Sequence, residues 1–330
     1  MAALAGTFLT TSAVGNREEL SDVVNRITPE DTPIYSMIGK ETAKSVYPEW
    51  EVDELAAPAS NVHTEGDEYT YSASNPVERM GNYTQIMRKT WIVSNTQDAI
   101  DNAGKAEQIK NLRLKRGIEI RKDTELAIVS NTASVGGATR IMGGLPSWLE
   151  TNVSRGATGV NGGFDPITKL TVAETPGTQR AFTKTLLDTT MQTAYQSGAN
   201  VKYLVVSPYV KSVFVTFMSD SNVASFRHSV DGKSKQTIVA TADVYEGPFG
   251  KITVVPNRVM ATSAAVARRA FLIDPDMLAM KTLRKIQDDK SIANTGDAEK
   301  GVIIGEHTLK VKNEKGLGVV ADVFGLTAST

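Results

Sequence analysis

Hydrophobic and polar positions fall into blocks of different period along this chain. Val46-Tyr47-Pro48-Glu49-Trp50-Glu51-Val52 alternates apolar and acidic residues, as a strand with one wet face does. Gln85 to Val93 is a second β-type run, and the polar stretch between them, with Pro58, Gly66, Pro76 and Gly81, holds no core-forming segment. Pairing of the two runs predicts a hairpin over residues 45–93, with arms of about 20 residues reaching on the order of 65 Å. A lone two-stranded ribbon is marginal in water, so such a hairpin needs a surface to lie on. Before it, Met1 to about Lys44 is a weakly periodic arm broken by Thr28-Pro29 and Thr32-Pro33. With little core of its own, it is expected to rest on other structure.

A helical period follows. Ser94-Asn95-Thr96-Gln97 reads as a capping box, opening a helix that continues to about Thr132, roughly 35 residues and on the order of 50 Å long. Gly117 inside it costs about 1 kcal/mol relative to alanine, which predicts close approach of another group at that point. Residues 133–180 are a glycine-rich connector with one apolar element, Leu145-Pro146-Ser147-Trp148-Leu149. From Thr183 a helix carries Leu187, Met191, Ala194 and Tyr195 on one stripe and stops at Gly198. The strand Tyr203-Leu204-Val205-Val206 comes next, and Ser207-Pro208 opens a further helix with Val210, Val213, Phe214 and Phe217 at core spacing. With the short strands Ile252 to Val255 and Ala270 to Ile273, residues 183–274 read as a compact α/β unit. Two long β runs, about Met277 to Ile286 and Val302 to Lys312, flank Asn294-Thr295-Gly296-Asp297 near the end.

Composition narrows the classes. The 330 residues are 41% hydrophobic and 22% charged, which excludes wholesale disorder. No run of 18 apolar residues occurs and the first residues lack signal-peptide features, so an intracellular setting is expected. The balance of 36 basic against 37 acidic side chains argues against a dedicated nucleic-acid binder. Zero cysteines remove disulfides, thiolate metal sites and cysteine nucleophiles, and only His63, His228 and His307 remain as nitrogen ligands.

No catalytic constellation emerges. Gly316-Leu317-Gly318-Val319-Val320-Ala321 loosely matches a dinucleotide fingerprint, but no buried strand precedes it, and a turn with a late strand is the better reading. Asp274-Pro275-Asp276 reads as a turn ahead of a metal site. The histidines share no helical face with an acid, and Gly247-Pro248-Phe249-Gly250-Lys251 has the wrong spacing for a phosphate loop. No catalytic residue, cofactor or metal ligand is assigned, and the chain is expected not to be an enzyme.

Charge is segregated instead. Residues 45–88 carry eight acids, among them Glu49, Glu51, Asp53, Glu54, Glu65, Asp67 and Glu68, against two bases. Residues 105–122 carry seven bases, among them Lys110, Arg113, Lys115 and Arg116, against two acids. Two solvated faces would account for this. The sharper expectation is that the acidic hairpin of one subunit lies over the basic helix of its neighbour, which would fix register and partner choice.

The order of arm, long hairpin, long helix, glycine-rich connector, α/β unit and closing β segment resembles the major capsid proteins of tailed bacteriophages with the Hong Kong 97-type fold. The sequence is most similar to the major capsid family typified by the phage called S-U-ten. The matching stretches are Asp31-Thr32-Pro33-Ile34-Tyr35-Ser36-Met37-Ile38-Gly39, Arg79-Met80-Gly81-Asn82-Tyr83-Thr84-Gln85-Ile86 and Ser94-Asn95-Thr96-Gln97, followed later by Thr295-Gly296-Asp297 and the run Gly305-Glu306-His307-Thr308-Leu309-Lys310-Val311-Lys312-Asn313-Glu314-Lys315. The resemblance implies an α+β fold with an N-terminal arm (1–44), an extended β-hairpin loop (45–93), a first peripheral part with the spine helix (94–182), an axial domain (183–268) and a second peripheral part (269–330). It further implies a virion protein, assembled in the host cytoplasm, whose hexamers and pentamers form an icosahedral shell around double-stranded DNA. The DNA is enclosed without sequence-specific binding and no membrane is involved. A separate scaffolding protein and a portal are expected partners, with a decoration protein as a further one. Some relatives weld subunits through a lysine in the extended loop; residues 45–88 contain none, so no such crosslink is expected. An encapsulin-like compartment shell and an α/β enzyme or binding protein are the alternatives.

Overall fold

The computed structural model describes residues 31–69, 71, 76–100, 108–216, 243–289, 291–293 and 296–325. The first 30 residues of the arm, with Lys105, Phe217, His228 and Thr295, lie outside them. In chain order the elements are α1 (Pro33–Met37), β1 (Gly39–Thr42), β2 (Glu49–Val52), β3 (Glu78–Gly81), β4 (Gln85–Ser94), α2 (Asn95–Ala99), α3 (Gln108–Val129), β5 (Val153–Ser154), β6 (Gly163–Asp165), β7 (Leu170–Val172), α4 (Lys184–Gln196), β8 (Tyr203–Val206) and α5 (Pro208–Thr216). They continue with β9 (Val244–Gly247), β10 (Gly250–Pro256), α6 (Ala264–Ala267), β11 (Ala270–Ile273), β12 (Leu278–Asp288), β13 (Ala298–Val311) and β14 (Gly318–Val320). Among the described residues no helix is long and apolar enough to cross a membrane.

Two larger sheets organise the chain. One has the order β5-β14-β11-β8-β10-β9, the other β1-β12-β13-β4. The six-stranded sheet alternates as the sequence requires: Leu204 and Val206 face a core with Leu187, Val210 and Phe214 of α4 and α5, while Val205 and Phe271 face a second core. That second core is shared with Ile128 and Val129 of α3, Met87 of β4 and Ile34 of α1, so the spine helix, the four-stranded sheet and the α/β unit pack on one another directly.

The α/β unit follows its sequence signals. Thr183 caps α4, its hydroxyl accepting from Leu186 N–H at 3.4 Å. Ser207 caps α5 from the Val210 N–H at 3.2 Å, with Pro208 in the first position. Asp274-Pro275-Asp276 forms a turn, the Asp274 carboxylate accepting from the Asp276 N–H, and residues 314–320 form a helical turn followed by β14.

Three expectations need correction. The run Val46 to Val52 does not pair with Gln85 to Val93. Instead β2 pairs with β3, Glu49 opposite Gly81 and Val52 opposite Glu78, while β4 pairs with β13 from Gln85–His307 to Ser94–Ala298. The Tyr47 ring lies against Gly81, where a Cβ would come within 2.5 Å of it, and β4 turns Met87, Trp91 and Val93 inward, a face that only the sheet and α3 can cover. The projecting part is therefore residues 53–77, whose described members form no helix or strand. Second, the long helix is not continuous from Ser94. The Ser94 hydroxyl does cap α2 from Gln97 N–H at 3.1 Å, but Ile100 is extended, and the sequence that follows, Asp101-Asn102-Ala103-Gly104, favours turns over helix. The spine is the 22 residues of α3, about 33 Å long. Third, among the described residues nothing outside the helix's own backbone approaches Gly117: a Cβ there would meet no such atom within 4 Å.

Candidate inter-subunit surfaces

The loop springs from a rigid base. Trp50 of β2 is 8% exposed and packs its ring 5.6 Å from Trp148, which stacks on Phe164 at 5.6 Å. Beyond Val52 the character inverts. Leu55, Val62, Tyr69 and Tyr71 are 86–98% exposed, and Glu65, Asp67 and Glu68 share the same open segment. Four bare apolar or aromatic side chains close together in the chain, uncovered by the described residues, are the kind of surface that interaction sites present.

The acids predicted for contact divide into two groups. Glu54 reaches Lys315 at 2.6 Å and Glu49 lies 4.0 Å from Arg79, both within the chain. Glu51, Asp53, Glu65, Asp67 and Glu68 stand exposed. On α3, Arg113 pairs with Asp288 at 3.1 Å and rests on the Trp91 ring, and Arg116 pairs with Glu119 at 2.6 Å. Lys110 is exposed, and Lys115 is exposed without an ion pair among the described residues. Within one chain none of the seven acids meets Arg113, Lys115 or Arg116.

Beside α3 runs a groove of about 680 Å³, which the sequence pattern did not reveal. Leu114, Gly117, Ile118, Ile286 and Ile303 give it an apolar floor, and Lys40, Arg113, Arg121 and Lys285 outnumber Glu41 and Asp288 on its rim. Both acids are engaged, Glu41 with Lys310 at 3.0 Å and Asp288 with Arg113. The one hint in the sequence was Leu114, an apolar residue within the basic stretch; it is 62% exposed.

Three buried acids hold the platform beneath these surfaces. Glu125 of α3 is fully buried, accepting from the N–H groups of Ile34 at 3.0 Å and Tyr35 at 2.8 Å, and from Asn257 Nδ2 at 2.7 Å. Burial pushes its carboxyl above the usual range, the three donors only partly opposing this. At Glu306 burial acts to raise the value too, but donation from Thr84, Arg140 and Arg284 wins and holds it below the ordinary range. His307 next to it is 2% exposed, with Nε2 3.0 Å from the Thr124 hydroxyl. Burial lowers its pKa to about 4, against the pull of Glu306. Glu174 sits between Arg155 and Arg269, all three side chains 5% exposed or less. His63, by contrast, is exposed and bonded to Asn61. Among the described residues no cluster of acids and histidines is arranged to hold a metal.

Comparison with known proteins bears on the family and the fold. The family model described as SU10 major capsid protein matches residues 6–324. The major capsid protein of Escherichia phage Phieco32 is 24% identical over 349 residues, covering 96% of each chain. Among solved structures, the capsid of cyanophage A-1(L) superposes with a TM-score of 0.67 at 12% identity, covering 96% of this chain and 98% of that one. The capsid of a native GTA particle gives 0.65 at 10% identity, over 98% and 100%. An encapsulin from Synechococcus elongatus PCC 7942 gives 0.56 at 9% identity, over 96% and 95%. At such identities these likenesses speak for a shared fold, that of the phage capsids.

Proposed function

This chain belongs to the SU10 major capsid protein family, and from that premise we propose that it builds its shell by laying the acidic loop of one copy over the spine helix of the next. The protein is a phage major capsid protein with the Hong Kong 97-type fold, a structural component of the virion. The carrying observation for the contact is two sets of exposed charges without ion pairs among the described residues: Glu65, Asp67 and Glu68 on the loop, and Lys115 and Arg121 on the spine helix. Complementary charge of this kind sets encounter and register more than affinity, and the exposed side chains of the loop supply the area to be buried.

Further elements of the reading follow from the family. Copies gather as hexamers and pentamers around double-stranded DNA held without sequence reading, in keeping with a chain whose net charge is −1 and not strongly basic. A separate scaffolding protein guides assembly in the host cytoplasm, and a portal and a decoration protein complete the particle. The encapsulin reading has only a shared fold in its favour.

The test is electron microscopy of the purified protein and of Lys115→Glu/Arg121→Glu. Unlike Arg113 and Arg116, these two bases have no ion pair within the chain among the described residues, so reversing them leaves the subunit's own contacts intact. Shells or hexagonally tiled tubes from the wild type, and folded unassembled subunits from the variant, are expected. Normal shells from the variant refute the contact.

A further inference from the structure

Gly117 sits near the middle of α3, nine residues from the nearer end of a 22-residue helix. A glycine there weakens the helix relative to alanine, and such a residue is normally explained by a neighbour that needs the space. Here, apart from the helix's own backbone, no atom of the described residues lies within 4 Å of a Cβ built on it. Nothing among the described residues of its own subunit occupies the space of the missing methyl group. Gly117 also lies in the floor of the groove beside α3, next to the exposed Leu114 and to Ile118.

We propose that Gly117 is a notch that receives a tyrosine from the loop of a second copy, Tyr69 or Tyr71, so that this glycine sets the fit between neighbouring subunits. The inference rests on the reading that the loop crosses a neighbour's spine helix, and it adds where the loop is gripped and by what. The groove suits this occupant in three respects. Its floor of Leu114, Ile118, Ile286 and Ile303 takes the face of an aromatic ring, while Thr282 and Gln287 in the same wall offer polar partners to a phenol. Its rim bases Lys40, Arg121 and Lys285 match Asp67 and Glu68, which immediately precede Tyr69. The tyrosines are 86% and 94% exposed in the single chain, so the described residues leave them almost uncovered. Over a glycine the ring can approach the helix backbone itself; a methyl group at that point would hold it off.

The proposal makes an unusual demand on Gly117→Ala: the subunit should gain stability and the shell should lose it. Denaturant unfolding of the unassembled variant should show about a fivefold gain in the folding equilibrium constant, as expected for glycine to alanine inside a helix. Shell yield under matched conditions should fall at least tenfold. Because the chain contains no cysteine, Leu114→Cys combined with Tyr69→Cys or Tyr71→Cys gives a second readout: oxidised shells of one double variant should run as linked oligomers, and neither single variant should. Shell yield unchanged or raised in Gly117→Ala overturns the notch. So does a disulfide confined to one chain, or none with either tyrosine position. A wild-type protein that forms no shells or tubes defeats the underlying assembly reading instead, which keeps the two failures apart.

Discussion

Replacing Glu174 with alanine should be among the most damaging single changes available in this subunit. Glu174 accepts from Arg155 and, at 2.5 Å, from Arg269 Nε, and the three side chains are 1%, 5% and 4% exposed. Its backbone is held as well, Asn131 at the end of α3 receiving the Glu174 N–H at 2.9 Å and donating to its carbonyl at 2.7 Å. The alanine variant leaves two guanidinium groups buried without a counter-charge, in a region where Arg155 Nη1 already lacks a partner. Removing one member of a buried ion pair costs about 3–5 kcal/mol, a large fraction of the roughly 5–15 kcal/mol that holds a typical domain folded. Urea unfolding of the unassembled subunit, followed by tryptophan fluorescence, measures the loss directly. A triple variant with methionine at 155, 174 and 269 provides the contrast, because apolar replacement of a whole buried ionic cluster is often neutral. It should recover most of the stability lost by Glu174→Ala. A loss below about 1 kcal/mol for the single variant, or a triple variant no better than the single, refutes the argument that charge burial governs this site.

Two other outcomes are expected. His307 has its pKa lowered to about 4 by burial, so as pH falls from its ordinary value near 6.5 the unfolded chain takes up the proton first. Stability from this group is complete above about pH 6.5 and lost progressively down to pH 4, some 3 kcal/mol at 1.36 kcal/mol per unit; His307→Gln should flatten that limb of the stability curve, and an unchanged slope would sink the assignment. Assembled particles boiled in detergent should run as one band near 35.5 kDa, since the loop contains no lysine to form an isopeptide weld; a ladder of larger bands would contradict this.

Local signals in the sequence located local structure well. Ser94, Thr183 and Ser207 each cap a helix, because a cap depends on residues three positions apart. Partnership across long separations was less legible. The alternation in Gln85 to Val93 announces a strand but says nothing of its partner, and that partner proved to be β13 at the other end of the chain in place of the run at Val46. The continuity of the long helix failed at Ile100, where turn-favouring residues outweigh a capped start. Glu125, Glu174 and Glu306 look like any surface acid in the sequence; only the tertiary structure gathers the donors that make their burial tolerable. The groove beside α3 was invisible for the same reason, since Lys40, Gly117 and Ile286 come from three distant segments. The segregation of acids and bases was legible, but which members are spent within the subunit was not: Glu54 and Arg113 are, while Glu68 and Lys115 remain available.

The pairing of β4 with β13 also governs when a newly made subunit can exist at all. Ser94 and Ala298 are joined across 203 residues of intervening chain, which a ribosome takes on the order of ten to forty seconds to synthesise. Throughout that interval β4 has its inward face made but no sheet to complete, and the groove lacks the wall that β12 and β13 provide. A chain broken off before β13 therefore lacks the partner of β4 and one wall of the groove. The four-stranded sheet is closed only by the last strands to be made, so a prematurely terminated product lacks the sheet on which β4 depends.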